Sequence, residues 1–234
     1  MKQCFFVTAT GTGIGKTYVS CLALRGAREL GLDVKGIKPV ISGFCEGDFG
    51  GSDPALLLGA CGVEASLENV KEITPFRLSL PLSPDMASRV GGEGALCFED
   101  IVGFCREALA EQEGGLLLME SVGGVMVPLC EGYHTGHLLS ALNIPILLVA
   151  GNYLGTISHT LSAAHYLLAE KMPLAAILLN PHEDMDISPL ETMKSLRNHL
   201  PEIPLFLNSP ELSEKAQGEA LIKFLHERDS RAIF

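Results

Sequence analysis

A surplus of positive charge is missing from this sequence. Its 17 lysines and arginines face 28 aspartates and glutamates, a formal charge of −11 at pH 7. That excludes a broad nucleic-acid face, because polyphosphate partners are held through basic side chains. A small anionic ligand remains open, since a few local cations or a helix N-terminus reverse the field over a short range. Long hydrophobic runs are missing too. The strongest, Ile144 to Ala150, has seven residues, against about 20 for a membrane-crossing helix. No basic segment precedes a long apolar stretch, so no signal peptide is read. A cytoplasmic protein with neither a membrane nor a nucleic-acid partner is expected. The seven cysteines, Cys4, Cys21, Cys45, Cys61, Cys97, Cys105 and Cys130, include no CxxC pair, which fits reduced thiols. No local signature marks one of them as a nucleophile. Repeats, charge blocks and low-complexity linkers are also lacking.

Apolar residues are plentiful. At 47% of the chain they exclude disorder. The length of 234 residues suits one large α/β domain, although two small ones are not excluded by length alone. Short apolar runs alternate with helical patterns. Strands are expected at Cys4–Thr8, Val34–Val40, Leu116–Met119, Ile144–Ala150, Ala175–Leu179 and Ile203–Leu207. Runs without clean alternation suit strands buried on both faces. Helices are expected at Lys16–Leu30, Glu99–Glu111, Thr156–Lys171, Ser188–His199 and Lys215–Arg228. The first would bury Val19, Leu22, Ala23, Ala27 and Leu30; the last carries a stripe of Ala216, Ala220, Leu221 and Leu225. This rhythm implies an α/β fold, a doubly wound, mostly parallel sheet with helices on both faces and its ligand beyond the carboxyl ends of the strands.

The sharpest motif lies at such an end. Thr8-Ala9-Thr10-Gly11-Thr12-Gly13-Ile14-Gly15-Lys16-Thr17 follows the first strand and opens the first helix, the context of a phosphate-binding P-loop. Its amides and the helix N-terminus would face the anion. Lys16 would contact the β- and γ-phosphates of a nucleotide, and the Thr17 hydroxyl would bind Mg²⁺. The usual opening glycine is replaced by Ala9, so the loop reads as a deviant form.

Other polar residues admit two readings each. Lys38, at a strand end, is either a solvated lysine or a cation that stabilises charge on a reacting group. Asp53 follows Ser52 at a helix start, as a first-turn acid or a Mg²⁺ ligand. Glu120 ends a strand ahead of Ser121-Val122-Gly123-Gly124; opposite a P-loop, such an acid commonly helps hold Mg²⁺. His134 and His137 have HxxH spacing, but no further ligand lies near them, which favours a surface or capping role over a metal site.

Taken in order, Thr8–Thr17, Lys38-Pro39-Val40-Ile41-Ser42-Gly43, Ser52-Asp53, Glu120 with Gly123-Gly124, Leu154–His159, Asn180, Ile203-Pro204 and Pro210-Glu211 resemble dethiobiotin synthetase over nearly the whole chain. The resemblance implies a single ATP-dependent ligase domain over residues 1–234 and a homodimer. It implies conversion of 7,8-diaminopelargonate, CO2 and ATP into dethiobiotin, ADP and phosphate, with Mg²⁺. It assigns Lys16 and Lys38 to neutralising carbamate and phosphoryl charge. Thr17, Asp53 and Glu120 would hold Mg²⁺, and Thr12 and Ser42 would bind the carbamate or nearby substrate atoms. Gly13, Ile14, Gly15, Lys16, Thr17 and Tyr18 would line the nucleotide, as would Glu120, Ser121, Val122 and Gly123. Asn180 would read adenine, with Pro204, Leu205, Phe206 and Glu211 completing that pocket. Amides of Gly155, Thr156, Ile157 and Ser158, opening a helix, would take the substrate carboxylate across the dimer. Departures from the family pattern are Ala9, Gly11 where an acid is frequent, Ser121-Val122 in place of a Gly-Ala pair, and Ser158 where asparagine occurs.

Two other readings share the fold. A nucleotide-switched positioning or partition ATPase usually carries an extra lysine early in the loop, where Gly11 stands here. A related ATP-dependent synthetase would act on another amine or acid.

Overall fold

In the computed structural model, residues 2–181, 187–209 and 211–229 are described, without the side chains of residues 228 and 229. The first strand, β1 (Lys2–Ala9), is buried over its last five residues. A left-handed turn then starts helix α1 (Lys16–Glu29). Strands β2 (Val34–Ile37) and β3 (Val40–Ser42) follow. Helices α2 (Asp53–Cys61) and α3 (Leu67–Ile73) lead to β4 (Phe76–Leu78), α4 (Pro84–Gly91), α5 (Phe98–Glu111) and β5 (Gly115–Glu120). A short β6 (Pro128–Cys130) and β7 (Tyr133–His134) precede α6 (Thr135–Leu142). The remainder alternates β8 (Ile146–Gly151), α7 (Thr156–Ala169), β9 (Leu174–Asn180), α8 (Pro189–His199), β10 (Leu205–Leu207) and α9 (Glu214–Asp229).

Six strands form one parallel sheet in the order β10-β9-β8-β1-β5-β2. The expected α/β architecture is therefore present. Strands β8 and β9 are buried nearly throughout, as an apolar run without alternation requires when both faces are covered. The register aligns Val7 with Glu120, Ala9 with Val149 and Gly151 with Asn180. One edge of the sheet thus carries Thr10, Glu120, Gly151, Asn180 and Asn208. Backbone bonds continue past the strand ends: Ser121 N–H donates to Val7, Thr10 to Val149, Val125 to Ala9 and Asn208 to Leu179. The loops that build the site are therefore tied to the sheet.

Three expected strands divide or start late, and a proline lies at each of these differences; the other three run one or two residues past their expected ends. The run Val34–Val40 divides at Lys38-Pro39. Lys38 N–H leaves the ladder to donate to Ile73, and Pro39 has no N–H to continue it. Beyond that point β3 pairs with β4 in a separate two-stranded sheet. The strands expected from Ile144 and Ile203 begin at Ile146 and Leu205 instead, after Pro145 and Pro204.

Helix α1 is the floor beneath the site, and it is buried on most of its circumference rather than along one stripe. Leu30, expected in that stripe, lies beyond the helix and is exposed. Against α1 packs α9, whose buried residues are Gln217, Gly218, Leu221, Ile222 and Leu225. That face is shifted from the expected stripe because Ala216 and Ala220 are only half buried. Gly218 permits the contact: a Cβ there would lie 2.6 Å from the Leu22 carbonyl, and one at Gly26 would lie 2.6 Å from the Gly218 backbone.

Candidate active site

The loop between β1 and α1 folds around two left-handed glycines, Gly13 at φ 74° and Gly15 at φ 90°. Gly15 is the N-cap of α1 and no side chain caps the helix. Its first-turn amides are thus left for a ligand, and anions are the ligands they suit. Gly15 has a second reason to lack a side chain. A Cβ would fall 2.1 Å from Asn180 Nδ2, which donates instead to the Ile14 carbonyl at 3.1 Å.

A cavity of about 330 Å³ opens over this turn. The loop supplies Thr12, Gly13, Gly15, Lys16 and Thr17; the end of β2 and β3 supply Lys38, Ile41 and Ser42; Asp53, Val122 and Gly123 close it. Glu120 lies beneath, 1% exposed. Both of its carboxylate oxygens are engaged. Oε1 accepts from Thr17 Oγ1 at 2.8 Å and from Lys38 Nζ at 2.7 Å, while Oε2 accepts from Ser20 Oγ at 2.8 Å. Lys38 Nζ also lies 2.7 Å from Asp53 Oδ2. Lys38, open to two readings from sequence, is therefore a buried cation held between two carboxylates.

Two lysines and two carboxylates balance in formal charge within this cluster. Burial acts against the Lys38 charge, but Glu120 and Asp53 outweigh it and hold its pKa above the ordinary value. Asp53 shows the complement: burial would raise its pKa, and Lys38 nevertheless holds it below the usual carboxylate range. Lys16 has no such close partner. Burial first, then the Lys38 charge, press its pKa down to about 8, with Glu120 and Asp53 opposing. A partly desolvated ammonium beside uncapped helix amides favours an anion.

The oxygens of Thr17, Asp53 and Glu120 also fit a hard divalent cation. Among the described residues no cluster of three or more His, Cys, Asp or Glu forms a metal cage. Two carboxylates and a hydroxyl suit Mg²⁺, which takes most of its shell from phosphate and water. His134 and His137 are not part of this arrangement. His134 caps α6, its Nδ1 accepting from Gly136 N–H, and His137 Nδ1 accepts from His134 N–H.

Other expected site residues lie apart from the cavity. Ser121 is buried, and its hydroxyl bonds Thr8 and the Gly123 carbonyl. The Tyr18 hydroxyl reaches Gln217 on α9 at 3.2 Å. Asn180 stands at the end of β9, joined to Asn208 Nδ2 through Oδ1 at 2.9 Å. Pro204, Leu205 and Phe206 sit upstream on the edge strand, where Leu205 pairs with Ile177 and the Phe206 ring packs on Phe224. The residue that β10 brings to Asn180 is Asn208. Glu211 is exposed beyond it, and Pro210 lies outside the described residues. Gly155 is the left-handed N-cap of α7. Thr156 beside it is buried, with its hydroxyl donating to the Gly151 carbonyl. Ile157 is half buried and Ser158 exposed. Ser20 and Asn208 were absent from the sequence reading. Ser20 was accessible to it, because it lies three residues after Thr17 and so shares its helix face.

A family described as "AAA domain" matches residues 3–214. The ATP-dependent dethiobiotin synthetase BioD of Caulobacter sp. (strain K31) is 44% identical over 86% of this chain and 86% of its own. That of Acidiphilium cryptum (strain JF-5) is 41% identical over 86% of this chain and 89% of its own. Among solved structures, the septum site-determining protein MinD of Pyrococcus horikoshii, complexed with Mg-ADP, superposes with a TM-score of 0.56 at 15% identity, covering 100% of this chain and 98% of that one. A ParA family ATPase from Chlorobium tepidum gives 0.53 at 15% identity, covering 95% and 91%. At that identity the two structures show a shared P-loop fold and nothing more specific.

Proposed function

The chain belongs to the dethiobiotin synthetase family, and from that premise we propose how its phosphate cavity works. The reaction is the ATP-dependent joining of CO2 to 7,8-diaminopelargonate with closure of a cyclic urea. One amine of the substrate adds to CO2, loses a proton and becomes a carbamate. A carbamate oxygen attacks the γ-phosphorus, and the bond to the ADP oxygen breaks. The second amine then attacks the carbonyl of the mixed anhydride, expelling phosphate and leaving dethiobiotin.

One observation carries this reading: Lys16 and Lys38 line the same small cavity as Thr12 and Ser42. Carbamate and γ-phosphate are both anions, and bringing them together needs positive charge aimed at the gap between them. Lys16 faces the phosphates from the helix N-terminus, and Lys38 faces the carbamate side. Thr12 and Ser42 hydrogen-bond the carbamate. Positioning supplies much of the acceleration, since no group need act as a strong base. Mg²⁺, when bound, neutralises the triphosphate and supplies electrostatic stabilisation at the transferred group; Thr17, Asp53 and Glu120 would hold it. Asn180 keeps one N–H and one lone pair beyond its bonds to Ile14 and Asn208, a donor and acceptor suited to an adenine edge. Gly13, Gly15, Lys16, Thr17, Val122 and Gly123 line the phosphate end of the nucleotide site, and Asn208, rather than Pro204 to Phe206 upstream on the edge strand, stands with Asn180 at the adenine end. The amides of Gly155, Ile157 and Ser158 take the substrate carboxylate from the second copy of a homodimer, while that of Thr156 is held by the Tyr153 carbonyl. The enzyme works as a single ligase domain in the cytoplasm.

The test is mass spectrometry of products formed by purified protein from ATP, bicarbonate and diaminopelargonate. Dethiobiotin, with one ADP per ring closed, is the expected result. ATP hydrolysis without a urea product would point to a nucleotide switch, and turnover only with another amine to a different synthetase.

A further inference from the structure

Lys38 and the divalent cation want the same oxygens. Glu120 Oε1 and Asp53 Oδ2, two of the atoms proposed to hold Mg²⁺, each lie 2.7 Å from Lys38 Nζ. The Thr17 hydroxyl, the third, spends its proton on that same Glu120 oxygen at 2.8 Å. A metal cannot sit between the two carboxylates while the ammonium is there. The carboxylate itself is not free to turn aside, because Ser20, fully buried in α1, holds Oε2 at 2.8 Å. With Oε2 held there, Oε1 is the oxygen that meets Thr17 and Lys38. We propose that Lys38 is a resident cation, exchanged for the divalent metal when the metal–nucleotide complex arrives, and that this exchange releases its ammonium to the reacting anions.

The proposal rests on the Mg²⁺ and Lys38 roles above and adds an order to them. The ammonium balances two carboxylates, one fully buried and one partly exposed, that would otherwise repel each other. Free Mg²⁺ must then displace a 2.7 Å ion pair on each side with nothing to receive the displaced charge. The nucleotide changes this, because its phosphates both ligate the metal and accept Lys38. Metal and nucleotide accordingly bind as one unit. Lys38 reaches the reacting groups only when the metal has taken its place, so the carbamate-side cation is delivered together with the phosphate it serves.

The measurement is Mn²⁺ binding followed by electron paramagnetic resonance, on wild type, Lys38→Met and Lys38→Arg, each with and without ADP. Wild type without nucleotide should bind Mn²⁺ weakly. Lys38→Met, with the competing charge gone, should bind it about tenfold more tightly or better. Lys38→Arg, which keeps the charge, should stay with wild type. Equal affinities for wild type and Lys38→Met without nucleotide overturn the exchange. Wild type that fails to bind Mn²⁺ even with ADP overturns instead the metal reading beneath it. Should Lys38→Met not fold alone, Mn²⁺ should restore its folding, read by circular dichroism, because the metal fills the vacated charge. A variant that Mn²⁺ leaves unfolded also overturns the proposal.

Discussion

Two cavities of this molecule differ in a way that separates room from chemistry. The larger, about 730 Å³, lies between α4 and the β6–β7 pair, bordered by Asp85, Arg89, Met126, Cys130 and Tyr133. The smaller, about 330 Å³, is the phosphate cavity. The larger is walled by an eight-residue helix and a two-stranded ribbon whose register shifts between Pro128 and Cys130. Such a ribbon is marginally stable by itself. Asp85 there accepts a bond from Ser83 on its own turn. The phosphate cavity has the β3–β4 ribbon on one side only; its other walls are loops bonded back to the central sheet, and four charged side chains converge on it. Volume marks where a molecule fits; convergent charge on a rigid frame marks where bonds are made.

Lys16→Ala should break this contrast most visibly if the contrast is wrong. Removing the cation nearest the free helix amides should lower turnover about a thousandfold and weaken ATP binding. Steady-state kinetics and calorimetry would show it, and normal turnover would refute the P-loop assignment. Glu120→Gln comes next. It keeps the shape but removes the charge shared by Thr17, Ser20 and Lys38, so the Mg²⁺ concentration for half-maximal rate should rise about tenfold. An unaltered Mg²⁺ titration would remove Glu120 from the metal site. The depressed pKa of Lys16 gives a milder effect. Its protonated form binds phosphate, and in the empty protein that form is lost as pH rises through about 8. ATP affinity should be level below that value and fall above it, by up to about tenfold per pH unit. Binding at pH 8.5 should therefore take up protons, detectable by calorimetry in buffers of different ionisation enthalpy; no uptake would mean Lys16 is fully charged beforehand. The smallest effect belongs to the larger cavity, where Arg89→Ala should leave kcat/KM within about threefold. A hundredfold loss would place that cavity within the acceptor site and erase the distinction.

The smaller cavity was far more legible in the sequence than its connections. The phosphate loop depends on local spacing, and strand, turn and helix fall within a few residues, so Gly13, Gly15, Lys16 and Thr17 could be read directly. The parallel sheet was legible because fully buried strands need unbroken apolar runs. The errors at Val34, Ile144 and Ile203 share a cause. An apolar run shows what is buried, while the N–H that proline lacks decides where a ladder stops. The burial of Lys38 was not legible, since it depends on carboxylates 15 and 82 residues further along the chain. Asn208 was missed for the same reason, because only the β9–β10 register brings it to Asn180.

The break at Pro39 bears on acceptor choice. The wall that presents Ser42 belongs to the β3–β4 ribbon, which shares no rung with the six-stranded ladder. On the roles proposed above, substitutions in that ribbon would change what meets Ser42 and leave the six-stranded ladder beneath the phosphate loop intact. Acceptor choice and triphosphate handling would then rest on separately hydrogen-bonded pieces of one chain.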